Sequence, residues 1–182
     1  KQKSHTSFDD LGRKLAHVDN DGLTCWSYDE DSSHLGKLNN VSYNQGAGQN
    51  INGCAGIKNS ANYREAYSYR ENGLVGNITT TIDGETFQTS QYYDGLNRLK
   101  YTTYPDQKFS VEHTYNNLSM PLQVKNATQG HREYNKVYQD IKKVNARGQV
   151  TEVKYGNNTK EVKGFDANTG FASSISLFKG TS

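Results

Sequence analysis

Tyr93-Asp94-Gly95-Leu96-Asn97-Arg98-Leu99 decides how this chain is read. In this stretch an aromatic residue ends a strand and packs inward. The carboxylate beside it accepts backbone N–H bonds two residues on, an Asx-turn. Glycine supplies positive φ where the chain reverses, and the next aliphatic residue opens a new strand. The unit is therefore strand, turn, strand.

It recurs along the chain. Phe8-Asp9-Asp10-Leu11-Gly12-Arg13 is a close copy, and Tyr28-Asp29 is a copy stretched to Gly36-Lys37-Leu38. Tyr69-Arg70-Glu71-Asn72-Gly73, Tyr115-Asn116-Asn117-Leu118, Val144-Asn145-Ala146-Arg147-Gly148-Gln149-Val150 and Phe165-Asp166-Ala167-Asn168-Thr169-Gly170 complete the series. The copies start 20 to 29 residues apart, except for one interval of 41 that holds a decayed unit. Such a period marks a repeat architecture of about eight units spanning residues 1–182.

Hairpins lie between the motifs. Asp83-Gly84 is a type I′ turn signal. It sets Ile82 against Glu85, Thr80 against Phe87 and Ile78 against Thr89, with one apolar and one polar face. A second hairpin turns at Pro105-Asp106, placing Leu99 and Tyr101 on the side of Phe109, Val111 and Tyr115. A third turns at Asn157-Asn158 and a fourth at Asp21-Gly22. Residues 44–62, rich in Gly and Asn, have no period and read as a long loop or a decorated hairpin tip. Helix is scarce; residues 130–140 are the best short candidate, and read equally well as a strand.

Composition agrees with this picture. Hydrophobic residues are 32% and mean hydropathy is −0.93, values near those of disordered chains. Against disorder stand two prolines, 13 tyrosines and a net charge of +2. That charge gives no case for nucleic acid or an anionic membrane, and no stretch is long and apolar enough for a membrane span. The chain begins at Lys1 and reads as an excised segment, its targeting signal lying elsewhere. Cys25 and Cys54 are too few for a disulfide framework; they read as two reduced thiols, with a single bridge as the alternative.

The units resemble the RHS, or YD, repeat family, whose motif is Tyr-Asp-x-x-Gly-Arg. Phe8 to Arg13 and Tyr93 to Arg98 match it most closely. Trp26-Ser27-Tyr28-Asp29, Thr80-Thr81-Ile82-Asp83-Gly84, Tyr104-Pro105-Asp106 and Asn145 to Thr151 are similar to a bacterial branch related to the B and C components of insecticidal toxin complexes. The resemblance implies an all-β fold: antiparallel β-hairpin repeats forming a curved strip, part of a hollow shell. It further implies that the shell encloses a C-terminal toxin segment of the same polypeptide, that the other repeats are this segment's partners, and that the whole is secreted or surface-exposed. A toxin-complex or secretion-machinery partner follows from the same likeness; teneurins reuse such shells in adhesion. The chain departs from the pattern at Gln107 and Asn158, where the family has Gly, at Tyr69-Arg70, and at Leu118-Ser119-Met120. It lacks the signature of the family's self-cleaving core.

No catalytic constellation stands out. Asp9, Asp29, Asp94 and Asp166 recur at one place in the unit. A catalytic carboxylate is needed once, whereas a turn cap is needed in every copy. The same logic makes Arg13, Arg98 and Arg147 structural, each pairing with a motif carboxylate or lying on a neighbouring Tyr. The five histidines form no metal spacing, and Gly46-Ala47-Gly48 lacks the features of a phosphate loop. The Tyr rows read as core. Glycan binding through them is the competing reading, and a β-propeller the competing architecture. The expectation is a non-enzymatic structural segment without metal or cofactor.

Overall fold

The computed structural model describes residues 4–30, 32–46, 50–57 and 61–180. The fold is all-β and antiparallel, and the chain divides into two compact units, residues 1–91 and 92–182.

Unit one holds β1 (His5–Phe8), β2 (Lys14–Val18), β3 (Gly22–Tyr28), β4 (Leu38–Gln45), β5 (Tyr63–Tyr69), β6 (Val75–Ile82) and most of β7 (Glu85–Tyr93), with a short helix α1 (Cys54–Ile57) between β4 and β5. Each strand pairs with the one before it. Alternate connections therefore fall on the same rim of the sheet, and every motif turn of the unit lies on one rim. The motif turns carry bulges that pair Phe8 with Lys14 and Tyr69 with Val75.

The registers sort side chains onto two chemically different faces. Trp26, Val41, Tyr43, Tyr63, Glu65, Tyr67 and Ile78 share one face. The other begins with Ala16, Leu23 and Cys25 and continues as Ser27, Asn40, Ser42, Ser68, Asn77 and Ser90. Asn40, Ser42 and Ser90 are buried there and satisfy their polar groups within the row. Ser42 Oγ donates to Asn40 Oδ1 at 3.4 Å, Asn77 Nδ2 to Ser68 Oγ at 3.0 Å, and Ser90 Oγ to Asn77 Oδ1 at 2.8 Å.

The apolar core of this unit is small: Ala16, Leu23, Cys25 and Ile57 are buried, with Val18, Ile51 and Cys54 packed around them. One expectation is corrected here. Cys25 and Cys54 form a disulfide across 29 residues, and are not two reduced thiols. The segment read as a long loop or a decorated hairpin tip joins the antiparallel strands β4 and β5 and carries α1, whose Ile57 closes over Leu23's neighbourhood. Residues 47–49 and 58–60 of that segment, including part of Gly46-Ala47-Gly48, lie outside the described residues.

Unit two holds β8 (Leu99–Thr103), β9 (Ser110–Tyr115), β10 (Pro121–Asn126), β11 (Val137–Val144), β12 (Val150–Tyr155), β13 (Thr159–Phe165) and β14 (Ala172–Lys179), with β9 to β14 each paired with its predecessor. Val111 and Val153 are its buried aliphatics. Asn126, fully buried, donates from Nδ2 to Tyr138 Oη at 3.1 Å and accepts from Thr128 N at 2.8 Å. The 130–140 stretch forms turns leading into β11 and no helix.

The Asp83-Gly84 register is as the sequence sets it: Ile82 faces Glu85, Thr80 faces Phe87 and Ile78 faces Thr89. Its apolar face is only partly covered, because Ile82 and Phe87 near the tip are exposed. The 99–115 hairpin is shifted by one residue from expectation. Tyr101 faces Glu112 and Thr102 faces Val111, so Leu99 and Tyr101 lie opposite the Val111 side. The cause is the turn. Gln107 adopts φ 58° and donates its N–H to Tyr104 O, while Tyr104 N donates to Phe109 O. Residues 105–108 lie between the paired Tyr104 and Phe109, one more than separate Asp94 from Arg98, and this length sets Thr103 against Ser110 and Tyr101 against Glu112.

None of the 13 tyrosines is buried, which corrects the reading of Tyr rows as core. They lie along the sheet, and several turn their hydroxyls back onto it. Tyr69 Oη donates to Leu38 O at 2.7 Å and Tyr115 Oη to Leu99 O at 2.7 Å. Tyr63 and Tyr67 both donate to the carboxylate of Glu65. Partial burial, then this bond, pushes the Tyr63 phenol up to about 12 and raises Tyr67 further.

Candidate functional site

The recurring feature with defined chemistry is the row of motif turns. In unit two, Asp94 Oδ1 accepts from Leu96 N at 2.9 Å and Arg98 N at 3.0 Å, while Arg98 Nε donates to Oδ2 at 2.7 Å. Asp94 N donates to Arg98 O and Asn97 N to Asp94 O, closing the loop. Unit one repeats this atom for atom. Asp9 Oδ1 accepts from Leu11 N at 3.0 Å and Arg13 N at 2.8 Å, and Arg13 Nε donates to Oδ2 at 2.6 Å.

Each motif arginine also reaches the next turn on its rim. Arg13 Cζ lies 4.4 Å from the Tyr28 ring centre, and its Nη1 forms an ion pair with Asp29 at 2.8 Å. Arg98 Cζ lies 4.6 Å from the Tyr115 ring centre, and Nη1 donates to Ser119 Oγ at 3.1 Å. The planar guanidinium thus serves a carboxylate along its edge and an aromatic ring on its face, a combination an ammonium cannot reproduce. The Arg98 side-chain bond, then its backbone N–H, holds the Asp94 carboxyl below the usual range. The Arg13 bond and the Gly36 N–H do the same for Asp29. For Asp9, partial burial pushes the carboxyl up and its bonds to Arg13 outweigh that. Thr169's N–H, then its hydroxyl, lowers Asp166.

The divergent copies keep the turn by other means. Asn116 and Asn145 each accept two backbone N–H bonds through a neutral amide oxygen. At Tyr69-Arg70 the cap moves to Asn72, which accepts from Leu74 N, and Arg70 donates from Nε and Nη2 to Gln91 O at 3.0 and 2.7 Å. Asp29 itself adopts φ 59°, and its Oδ1 accepts from Gly36 N. Arg147 does not sit where Arg13 and Arg98 sit. Gln149 holds that place, donating to Gly170 O at 2.7 Å, while Arg147, two residues earlier, donates to Ala167 O at 2.6 Å.

The left-handed residue stands at one fixed place in these turns: Gly12, Gly73, Asn97, Ser119 and Gly148 all have φ between 60° and 77°. In the longest-matching stretch it is Asn97, not Gly95 as the sequence pattern implied. Gly170, with φ 75°, takes the same role one residue later after Phe165-Asp166. On the opposite rim, Asp83 and Gly84 have φ 48° and 90°, as a type I′ turn requires. Asp106 accepts from Lys108 N after Pro105, Asn157 caps Thr159 N, and Asn158 has φ 64°. Asp19 accepts from Asp21 N and Gly22 N.

Sequence reasoning missed one property of the row. The residue before the left-handed position is Leu in four copies, and Leu11, Leu35, Leu96 and Leu118 are 69–80% exposed. Their recurrence was visible; their exposure was not. Among the described residues, no three His, Cys, Asp or Glu side chains converge on a point that could hold a metal.

No family model matches the chain, and no curated protein matches it. Solved structures do. A TcdB2–TccC3 crystal structure with Cdc42 matches 96% of the chain at 16% identity and a TM-score of 0.56. A TcdB2–TccC3–TEV crystal structure matches 96% at 15% and 0.55. A Photorhabdus luminescens Tc holotoxin pore carrying a TccC3 substitution matches 97% at 13% and 0.55. In each case this chain spans about a tenth of the length of the solved chain. The likeness is one of fold: an antiparallel hairpin strip of the kind found in these toxin-complex chains.

Proposed function

We propose that this chain is a non-catalytic wall segment of an RHS-type shell that encloses a C-terminal toxin or effector of a larger secreted bacterial protein. The observation that carries the proposal is the recurring motif turn, identical at Asp9–Arg13 and Asp94–Arg98, kept by other caps in the divergent copies, and tied to its neighbour by a side chain from Arg13, Arg98 or Gln149. An element repeated in this manner supplies continuity of a surface; chemistry needs a constellation that occurs once. The fold likeness to toxin-complex chains over nearly the whole length supports the same reading, and the Cys25–Cys54 bridge suits an oxidising, extracytoplasmic setting. In this role its partners are the flanking repeats, the enclosed segment, and other components of a toxin complex.

Limited proteolysis of the full gene product, followed by mass spectrometry, tests this. A C-terminal piece that stays bound and protected while exposed linkers are cut supports enclosure. A C-terminal piece digested as fast as a free tail refutes it. One observation favours a second reading: Trp26, Tyr43, Tyr63 and Tyr67 share a face and none is buried, as a glycan-stacking or adhesive surface would need. Binding on a glycan array that is lost in Trp26→Ala would promote that reading.

A further inference from the structure

The segment Asn50–Ile57 lies over the apolar end of unit one's sheet. Within it Gly53 N donates to Asn50 O at 2.8 Å and Gly56 N to Gly53 O at 3.1 Å. Asn52 N also turns inward, to Asn50 Oδ1. Towards the strands the described residues offer a long contact of Cys54 Sγ with Leu15 O at 3.9 Å, the apolar side chains of Ile51 and Ile57, and the covalent bridge to Cys25. Beneath sit Leu23, with no exposed surface, and Ala16, 2% exposed. Gly53 passes so close that a Cβ there would lie 3.3 Å from Leu23 Cδ2.

We infer that the Cys25–Cys54 disulfide is a redox latch: it holds the Asn50–Ile57 cap on the sheet under oxidising conditions, and its reduction frees the cap while the strands stay paired. The ladder of β2, β3 and β4 does not run through the cap, so opening breaks none of its hydrogen bonds. The two cysteines differ in access: Cys25 is 6% exposed, whereas Cys54 is partly exposed at the start of α1. A thiolate of an external dithiol therefore attacks Cys54 Sγ, and Cys25 leaves and takes up a proton. The second thiol of the reductant then resolves the mixed disulfide and releases Cys54 as a thiol. The bridge gains two electrons and two protons, and the dithiol becomes a disulfide. Opening uncovers Leu23 and Ala16, a small apolar patch hidden before reduction and available after passage into a reducing compartment.

Hydrogen exchange with mass spectrometry, with and without dithiothreitol, tests the latch. The oxidised protein must first show the two-dalton mass deficit of the bridge; its absence overturns the inference. With dithiothreitol, amides of 50–57 are expected to exchange at least tenfold faster, while β2, β3 and unit two keep their protection; removing the reductant in air restores the slow rate. Cys54→Ser is expected to show the fast cap in both conditions. Unchanged exchange in 50–57 means the cap does not need the bridge and overturns the inference. Loss of protection across β1 to β7 together also overturns it, making the bridge a staple of the whole unit. Should Cys54→Ser not fold, the wild-type comparison alone decides.

Discussion

Truncating Leu23 to alanine probes whether so small a core governs unit one. Leu23 has no exposed surface and sits between the sheet and the cap. The change removes three carbons, worth about 2.4 kcal/mol of transfer free energy at ~0.8 kcal/mol per buried methylene. A cavity of roughly 75 Å³ adds up to about 1.8 kcal/mol at ~24 cal/mol per Å³ if nothing collapses into it. The bridge restrains the cap from settling fully, so the expected loss is about 3–4 kcal/mol. Trp26 is the only tryptophan and lies in β3, three residues from the site, so its fluorescence follows the unfolding of unit one. Urea titrations of wild type and Leu23→Ala, fitted with a common slope, give the difference. Leu11→Ala is the control. It is the same substitution in the same unit at a residue 76% exposed, expected to change stability by no more than ~0.5 kcal/mol. A loss below ~1 kcal/mol for Leu23→Ala, or a comparable loss for Leu11→Ala, would refute the assignment of the core.

Other outcomes follow from the turn row. The motif carboxyls of Asp29, Asp94 and Asp166 lie below the ordinary 3.8 in the folded chain. Their contribution is complete above the unfolded value and is lost as pH falls through the lower folded values, so the melting temperature should hold down to about pH 5 and drop below about pH 4, as calorimetry would record. Arg98→Lys should lower the melting temperature more than Lys100→Arg, since the ammonium cannot both bridge Asp94 and lie on Tyr115; equal effects would count against the stacking geometry. Asn97→Gly should be neutral or slightly stabilising and Asn97→Val destabilising by ~1 kcal/mol or more, because a β-branched residue resists φ 60°. If Gly95→Val proved the worse of the two, the left-handed position would be misassigned.

Much of the fold was legible because the repeat carries its own turn chemistry. A carboxylate or amide followed by a short polar run dictates a reversal whatever surrounds it, and the Asp83-Gly84 turn fixed its strands' register correctly. What escaped depended on single residues that change a count or on contacts distant in sequence. The turn between Tyr104 and Phe109 is one residue longer than the turn between Asp94 and Arg98, which places the 99–115 pairing one residue from expectation, and nothing local announces that length. Gly95 drew attention as the obvious candidate, yet the turn puts Asn97 in that conformation and leaves the glycine in ordinary backbone. Arg147 looked like the partner of Arg13 and Arg98 until the turn was aligned by its hydrogen bonds, when Gln149 took the place. Cys25 and Cys54 are brought together by the return of the chain between β4 and β5. The tyrosines read as core because aromatic residues usually are, whereas here the sheet face leaves them half-covered, with several hydroxyls bonded back to the backbone.

Within each unit, the pairing of successive strands has a mechanical meaning. Pulled by one end, a sheet of this order is loaded at one hairpin at a time, as a zipper is, and never across all its hydrogen bonds at once. Each unit should therefore give way in small steps at low force, a useful property for a wall that must be threaded or dismantled. The Cys25–Cys54 bridge would interrupt that sequence. While it is intact, the 29-residue stretch it closes cannot extend, shortening the pulled chain by roughly 100 Å at about 3.4 Å per residue.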